Sequence, residues 1–251
     1  MTETEKLFHK WNAIRLKITF DESVSIMDKS RAMFRGGFGG KHFNKLVGYV
    51  VDVYQAIHYG ANDAIGLYQD ISTLMLLRQL SYPDPVFGID NPVVGEFRSR
   101  KGVSILDFGC GLAQISRAVA KAMVGLGIRV TMTFSDVHSL REDFIKWAAM
   151  QDGIEKVMIV PCTSQCPVPR FPPCDLAIAF EVFEHIHDNI PCLKAIDDAL
   201  LPGGLLWGTF EHRYKLRPPC HVNSNSSEVV AFLSQAGYRR LGRGLYKKKG
   251  T

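Results

Sequence analysis

Apolar residues recur at the spacing of amphipathic helices in two stretches of the N-terminal part of the chain. The positions that follow this spacing are Phe43, Leu46, Val47, Val50, Tyr54 and Ile57, then Ile65, Tyr68, Ile71 and Met75. A shorter helix is predicted over residues 22–34, and the glycines of residues 36–41 predict a loop. The pattern therefore predicts a helical region over residues 1–100, which ends in an irregular linker after Pro85.

From about residue 101 the pattern changes, and short apolar runs alternate with helical segments. The runs predict strands at 103–106, 130–134, 157–160, 175–180 and 205–210. Helices are predicted at 115–124, 140–150, 192–200 and 227–236, before a terminal hairpin over 238–247. Strands that alternate with helices of this length are typical of a parallel sheet with helices on both faces. We therefore predict an α/β protein with a doubly wound sheet over residues 101–251.

A glycine turn follows the first predicted strand, where the chain reads Asp107-Phe108-Gly109-Cys110-Gly111. Glycines let the backbone approach a ligand closely, and the helix that follows offers free N–H groups. The second strand ends at Asp136, whose carboxylate can accept hydrogen bonds from both hydroxyls of a ribose. An ordinary β–α turn and a nicotinamide-binding fold are the alternatives. The latter expects G-x-G-x-x-G, which would require glycine where this chain has Gln114.

Two further segments, Phe180-Glu181-Val182-Phe183-Glu184-His185 and Leu201-Pro202-Gly203-Gly204, complete a recognisable set of motifs. From residue 103 to the C-terminus the chain resembles the class I S-adenosylmethionine-dependent methyltransferases. Its motif pattern is most similar to that of the ubiquinone-pathway O-methyltransferase-like group. The resemblance implies a Rossmann-like, mostly parallel seven-stranded sheet with an antiparallel last strand. It also implies a helical cap over residues 1–100 that shapes the substrate pocket.

S-adenosylmethionine is the cofactor that the resemblance implies. The cofactor-binding residues are then Asp107, Phe108, Gly109, Cys110, Gly111, Asp136, Val137, Thr163 and Phe180. Two positions depart from the family pattern. Ala113 stands where the third glycine is usual, and no acid follows the third strand, so Thr163, Ser164 or the main chain would hold adenine.

Glu181, Glu184 and His185 have the spacing at which one helical turn would point three side chains the same way. Together with His221 they resemble the divalent-metal site of the ubiquinone-pathway and small-RNA 2′-O-methyltransferases. Two carboxylates and two imidazoles suit Mg, Mn or Zn, and such an ion would orient vicinal hydroxyls of an acceptor. The same pattern also occurs in members without a metal, where the side chains pack and bond locally. Both interpretations stay open.

Methyl transfer from a sulfonium needs orientation and, for an acceptor that carries a proton, a base. His221 is the first candidate, because it resembles a histidine that the family often carries before the last helix; His185 and Glu181 are also predicted to be catalytic. The remaining histidines near the motifs are one further candidate base, His212, and two expected surface residues, His138 and His187. The loop over residues 36–41 is predicted to be either a lid over an anionic substrate or a plain connection.

Composition narrows the classes of function. A net charge of +5 fits an anionic substrate, although the positive residues are scattered. The 6 cysteines form no CxxC pair, and no apolar run approaches the ~18 residues of a membrane span. We expect a cytoplasmic enzyme that methylates a small molecule on oxygen, with neither membrane nor nucleic acid as partner and an open oligomeric state. The alternatives are an RNA or protein methyltransferase, and a catalytically silent subunit that binds a partner.

Overall fold

The structure is a computed structural model that describes residues 1–33, 79–80, 82–137, 141–163, 168–186, 188–210 and 226–250. The helices in these ranges are α1 (Glu3–Leu16), α2 (Phe20–Met33), α3 (Pro92–Phe97), α4 (Gln114–Gly125), α5 (Arg141–Gln151), α6 (Asn189–Ala199) and α7 (Ser226–Gln235). The strands are β1 (Gly102–Phe108), β2 (Arg129–Ser135), β3 (Lys156–Ile159), β4 (Cys174–Ala179), β5 (Leu200–Gly208), β6 (Arg239–Gly242) and β7 (Leu245–Lys247). The helices predicted between residues 43 and 75 lie outside the described residues.

The strands form one sheet of 7 strands in the order β3-β2-β1-β4-β5-β7-β6. Neighbours among β1 to β5 are parallel, whereas β7 runs antiparallel to both β5 and β6. The predicted α/β class, the mostly parallel seven-stranded sheet and its terminal hairpin are confirmed. Because β1 pairs in register with β2 up to Phe108 and Ser135, the residues after both strands meet at the carboxyl edge of the sheet.

Alternate residues of the central strands bury their side chains on opposite faces of the sheet. Ile105 of β1 belongs to the core beneath α4 and α5, and its neighbour Leu106 belongs to the core beneath α6 and α7. The first core also contains described residues of the N-terminal third, namely Phe8, Trp11, Met27, Leu80, Val93, Val94 and Phe97. The described parts of residues 1–100 therefore share a core with the sheet, and a domain boundary near residue 100 stays a prediction.

Helix α1 was not predicted, because its sequence is mainly polar. Its inward side carries Phe8 and Trp11, whose rings lie 5.6 and 5.7 Å from the ring of Phe144 on α5. The hydroxyl of Thr2 caps the helix by accepting a hydrogen bond from the Glu5 N–H at 3.1 Å. Aromatic packing and a cap therefore help to dock a helix that shows no clear apolar stripe. None of the described helices is both long and apolar enough to cross a membrane.

Candidate cofactor-binding site

The loop between β1 and α4 turns through two glycines with left-handed backbone conformations. Gly109 has a φ of 69° and Gly111 a φ of 53°, a region that other residues rarely adopt. The N–H groups of Gly109 and Cys110 donate to the carbonyl oxygen of Ser135 at 2.7 and 3.2 Å. These bonds fold the loop back onto the end of β2, so that its backbone faces the carboxyl edge of the sheet.

A side chain at either glycine position would meet a neighbouring side chain. A Cβ on Gly109 would collide with both methyl groups of Val182, which follows β4. A Cβ on Gly111 would lie 2.5 Å from Nε2 of Gln79. The loop is thus confined by residues from two distant parts of the sequence. Glycine is a steric requirement at position 109, whereas at position 111 the positive φ is the stronger reason for glycine.

Asp136, which follows β2, joins the two loops at the sheet edge. Its Oδ2 accepts the N–H of Gly111 at 2.7 Å, and its Oδ1 accepts the N–H of Val137 at 2.7 Å. Arg141, at the start of α5, donates from Nη2 to the same Oδ1 at 3.1 Å. This fixed carboxylate lies where the sequence predicts a ribose-binding acid, and the arrangement fits the adenosine part of S-adenosylmethionine.

Sequence reasoning missed Arg141 and Gln79, although one signal was available for the arginine. A cation in the first turn of a helix opposes the helix dipole, which favours acidic residues there. Arg141 opens α5 and is followed by Glu142 and Asp143. A basic residue in such a position indicates a specific acidic partner, and that partner is Asp136.

Asp107 lies at the end of β1 with only 5% of its surface exposed. The hydroxyl of Ser116 on α4 donates a hydrogen bond to its Oδ2. Burial raises the pKa of Asp107 from 3.8 to about 7; the hydrogen bond from Ser116 opposes this shift, and the charge of Asp136 adds to it. The Asp107 carboxyl therefore titrates near neutral pH.

Stability should fall as the pH rises through this value, since protons bind the folded state more tightly than the unfolded chain. The contribution of Asp107 is fully present below about pH 4 and lost above pH 7, which amounts to roughly 2–3 kcal/mol between about pH 5 and pH 8. Asp107→Asn removes the titrating group and should remove this part of the pH dependence. Urea unfolding of both proteins at each pH measures it, and the difference between them cancels other groups such as Glu184. Two curves that stay parallel across this range would contradict the assignment.

The side chains of Phe108 and Cys110, two predicted cofactor-binding residues, pack against the protein, so any contact with a cofactor is expected from their main chain. The ring of Phe108 is buried and packs edge-on against Phe171, with centroids 5.8 Å apart. Burial and the nearby carboxylates of Asp136 and Asp107 raise the pKa of the Cys110 thiol well above its usual value. A half-buried thiol that stays protonated is a packing group and a poor nucleophile.

Ala113 and Gln114 stand at two positions where related sequence motifs have glycine. Ala113 precedes α4 with a φ of 55°, which is the conformation that glycine would adopt without strain. The side-chain amide of Gln114 donates to Asp84 Oδ1 at 3.1 Å and lies 3.4 Å from the Tyr82 carbonyl oxygen. A nicotinamide-binding fold would need glycine at this position. In this chain Gln114 instead connects the linker before β1 to α4.

The segment after β3 reaches the same edge of the sheet. Val137 and Cys162 form an isolated parallel bridge, and the N–H of Cys162 donates to the Asp136 carbonyl oxygen at 2.8 Å. Thr163 is the next residue and is half-buried. This places Thr163 beside the Asp136 loop, as expected for a residue near adenine, whereas Ser164 lies outside the described residues.

The segment after β4 differs from its prediction. Glu181 has a φ of 53°, and its N–H donates to the Thr209 hydroxyl at 2.7 Å. A 3₁₀ helix then covers Phe183–His185. The prediction that Glu181, Glu184 and His185 share one helical turn is wrong, because Glu181 has a left-handed backbone and precedes the short 3₁₀ helix. The side chains of Glu181 and Glu184 nevertheless share a hydrogen bond. Phe180 turns its ring edge-on to Trp207, with centroids 4.9 Å apart.

The described side chains in this segment make a carboxyl–imidazole pair. Glu184 is 3% exposed, and its Oε1 lies 3.7 Å from Nε2 of His185. Burial, and to a smaller extent the charge of Glu181, raises the pKa of Glu184 to about 7. Within the described ranges, no three His, Cys, Asp or Glu side chains are grouped as a metal site. The other histidines considered, His138, His187, His212 and His221, lie outside those ranges, so the His221 and metal hypotheses stay predictions.

The chain is similar to several solved methyltransferase structures. A SAM-dependent methyltransferase from Aquifex aeolicus is 22% identical over 75% of this chain and 96% of its own, with a TM-score of 0.43. Haemonchus contortus phosphoethanolamine N-methyltransferase 2, solved with S-adenosylhomocysteine, is 17% identical over 70% of this chain and 44% of its own, with a TM-score of 0.47. PKMT2 from Rickettsia typhi, solved with AdoHcy, is 14% identical over 51% of this chain and 26% of its own, with a TM-score of 0.39.

No protein-family model and no curated protein sequence matches the chain. The architecture itself agrees with the resemblance found in the sequence: a seven-stranded sheet, parallel except for β7, with helices on both faces. The more specific resemblance to the ubiquinone-pathway group stays a prediction. The chain has the fold of the class I S-adenosylmethionine-dependent methyltransferases.

Proposed function

We propose that this protein is an S-adenosylmethionine-dependent methyltransferase that transfers the methyl group to an oxygen of a small-molecule acceptor. The observation that carries the proposal is the glycine turn of residues 109–111 held against Asp136. Two glycines with positive φ lie there, and a carboxylate is fixed beside them after β2. Ligands of doubly wound α/β proteins bind at this edge of the sheet.

S-adenosylmethionine supplies an electrophilic methyl group on a positively charged sulfur. The residues of the chain bind and orient it: Asp136 accepts from the ribose, Thr163 lies on the adenine side, and the main chain at Gly109 lies along the methionine side. Orientation is the main requirement of an in-line displacement, because the reacting atoms must be close and aligned. A loop fixed by hydrogen bonds to Ser135 and Asp136 provides that rigidity.

The acceptor would bind beyond the carboxyl end of β4, beside Glu181 and His185. The His185 side chain is 23% exposed, so a substrate can reach it, and it lies next to buried Glu184. A hydroxyl acceptor carries a proton that must leave during transfer, and an imidazole next to a carboxyl group is suited to accept it. An imidazole at this place is compatible with a hydroxyl acceptor, for which His185 would be a base, alone or with His221.

Asp136→Asn tests the cofactor assignment. The substitution should weaken binding of S-adenosylhomocysteine by about 10- to 100-fold, because a charge-assisted hydrogen bond to the ribose is lost. Isothermal titration measures the affinity. Incubation with metabolite extracts and a labelled methyl donor, followed by mass spectrometry, shows whether transfer falls in parallel and on which acceptor.

Asp175→Asn is the matched control. Asp175 Oδ2 accepts both the backbone N–H and the hydroxyl of Ser104 at 2.8 Å, at the start of β4 and therefore at the opposite edge of the sheet. The Asp175→Asn variant should lose stability without losing affinity for S-adenosylhomocysteine. The cofactor assignment is wrong if Asp136→Asn, folded as judged by thermal unfolding, binds S-adenosylhomocysteine as tightly as the parent.

A further inference from the structure

The three donors around Asp136 are unevenly divided between its two carboxylate oxygens. Oδ1 accepts the Val137 N–H at 2.7 Å and Arg141 Nη2 at 3.1 Å, whereas Oδ2 accepts only the Gly111 N–H at 2.7 Å. A carboxylate offers about four acceptor positions, two on each oxygen. Among the described residues, both positions on Oδ1 are occupied and one position on Oδ2 is left.

The ion pair between Arg141 and Asp136 is buried. Their side chains are 5% and 17% exposed, so water competes little for either group. The other terminal nitrogen of Arg141, Nη1, lies 3.5 Å from Oε1 of Gln79, whose amide also abuts Gly111. The guanidinium is therefore supported from a second side. Moving it away would leave a charge without its partner in a site of low polarity, which is costly.

We propose that Arg141 restricts Asp136 to the recognition of a single ribose hydroxyl. The acid expected to accept from both hydroxyls has one acceptor position left, and it lies on Oδ2. Arg141 is thus a specificity-determining residue for the ligand, because it decides how many hydroxyls the carboxylate can bind. The inference rests on the proposed function, since it takes an adenosine-containing cofactor as the ligand.

Deoxy analogues of S-adenosylhomocysteine test this directly in the parent protein. Of the 2′-deoxy and 3′-deoxy compounds, one should bind at least about tenfold more weakly than S-adenosylhomocysteine, and the other within about twofold. Isothermal titration gives all three affinities. Comparable losses for both analogues, or no loss for either, would overturn the inference without the use of any variant.

Variants of Arg141 then assign the restriction to this side chain. Arg141→Met keeps the aliphatic stem and frees a position on Oδ1, so both deoxy analogues should now bind more weakly than S-adenosylhomocysteine. Arg141→Lys keeps a cationic donor and should keep the parent pattern. Arg129→Met removes an exposed arginine at the start of β2, at the opposite edge of the sheet, and should also leave the pattern unchanged. If folded Arg141→Met shows the parent pattern, the inference is wrong.

The two failures give different results. If the parent binds none of the three compounds, the proposed function fails, and the role of Arg141 in ribose recognition fails with it. If the parent binds S-adenosylhomocysteine but treats both analogues alike, only the inference about Arg141 fails.

Discussion

Gly109→Ala is expected to lower the affinity for S-adenosylhomocysteine by more than about 100-fold. Two effects combine. A φ of 69° costs alanine about 1–2 kcal/mol, and the added Cβ would lie 2.8 Å from Cγ1 of Val182 and closer still to Cγ2. The loop must shift to relieve this contact, which moves the Gly111 N–H away from Asp136. Isothermal titration measures the loss of affinity.

A second substitution separates the two effects. In Gly109→Ala/Val182→Ala the new methyl group has space, so affinity should recover to within about 5- to 30-fold of the parent, the remainder being backbone strain. Gly127→Ala is the control for strain alone, since its φ is 77° and no atom lies within 4 Å of the added Cβ. It should lose stability and keep affinity. A double variant as weak as Gly109→Ala would show that Val182 is not the cause.

The central strands β1 and β2 could be predicted because each contains a short, nearly continuous apolar run. The prediction at 103–106 lies inside β1, and the prediction at 130–134 lies inside β2. Strands buried on both faces carry this signal in their local composition. Helix α1 could not be predicted in this way. Its position depends on the packing of Phe8 and Trp11 against Phe144, which is distant in the sequence.

In the candidate site, too, some features could be predicted from local sequence and others depend on tertiary contacts. The glycine turn and Asp136 could be found because the conformations and charges they need are properties of those residues themselves. The contacts of Val182 and Gln79 with the glycines depend on how distant segments pack, and no local pattern contains them. The segment after β4 was misread because spacing suggests one helical turn, while the left-handed backbone at Glu181 breaks it. The side chains of Glu181 and Glu184 still interact, but across a turn and not along one face of a helix.

Asp152→Ala is expected to destabilise the fold by about 3–5 kcal/mol, because it leaves a buried arginine without its partner. Nε and Nη2 of Arg117 on α4 both donate to Oδ2 of Asp152 at 2.7 Å, and the two side chains are 6% and 7% exposed. Urea unfolding measures the loss. Arg117→Met/Asp152→Ala, which removes both charges, should recover most of it. Lys121→Met, which removes an exposed cation 3.9 Å from the same carboxylate, should cost less than about 1 kcal/mol. A double variant no more stable than Asp152→Ala would show that the packing around Asp152, and not the unpaired charge, determines the loss.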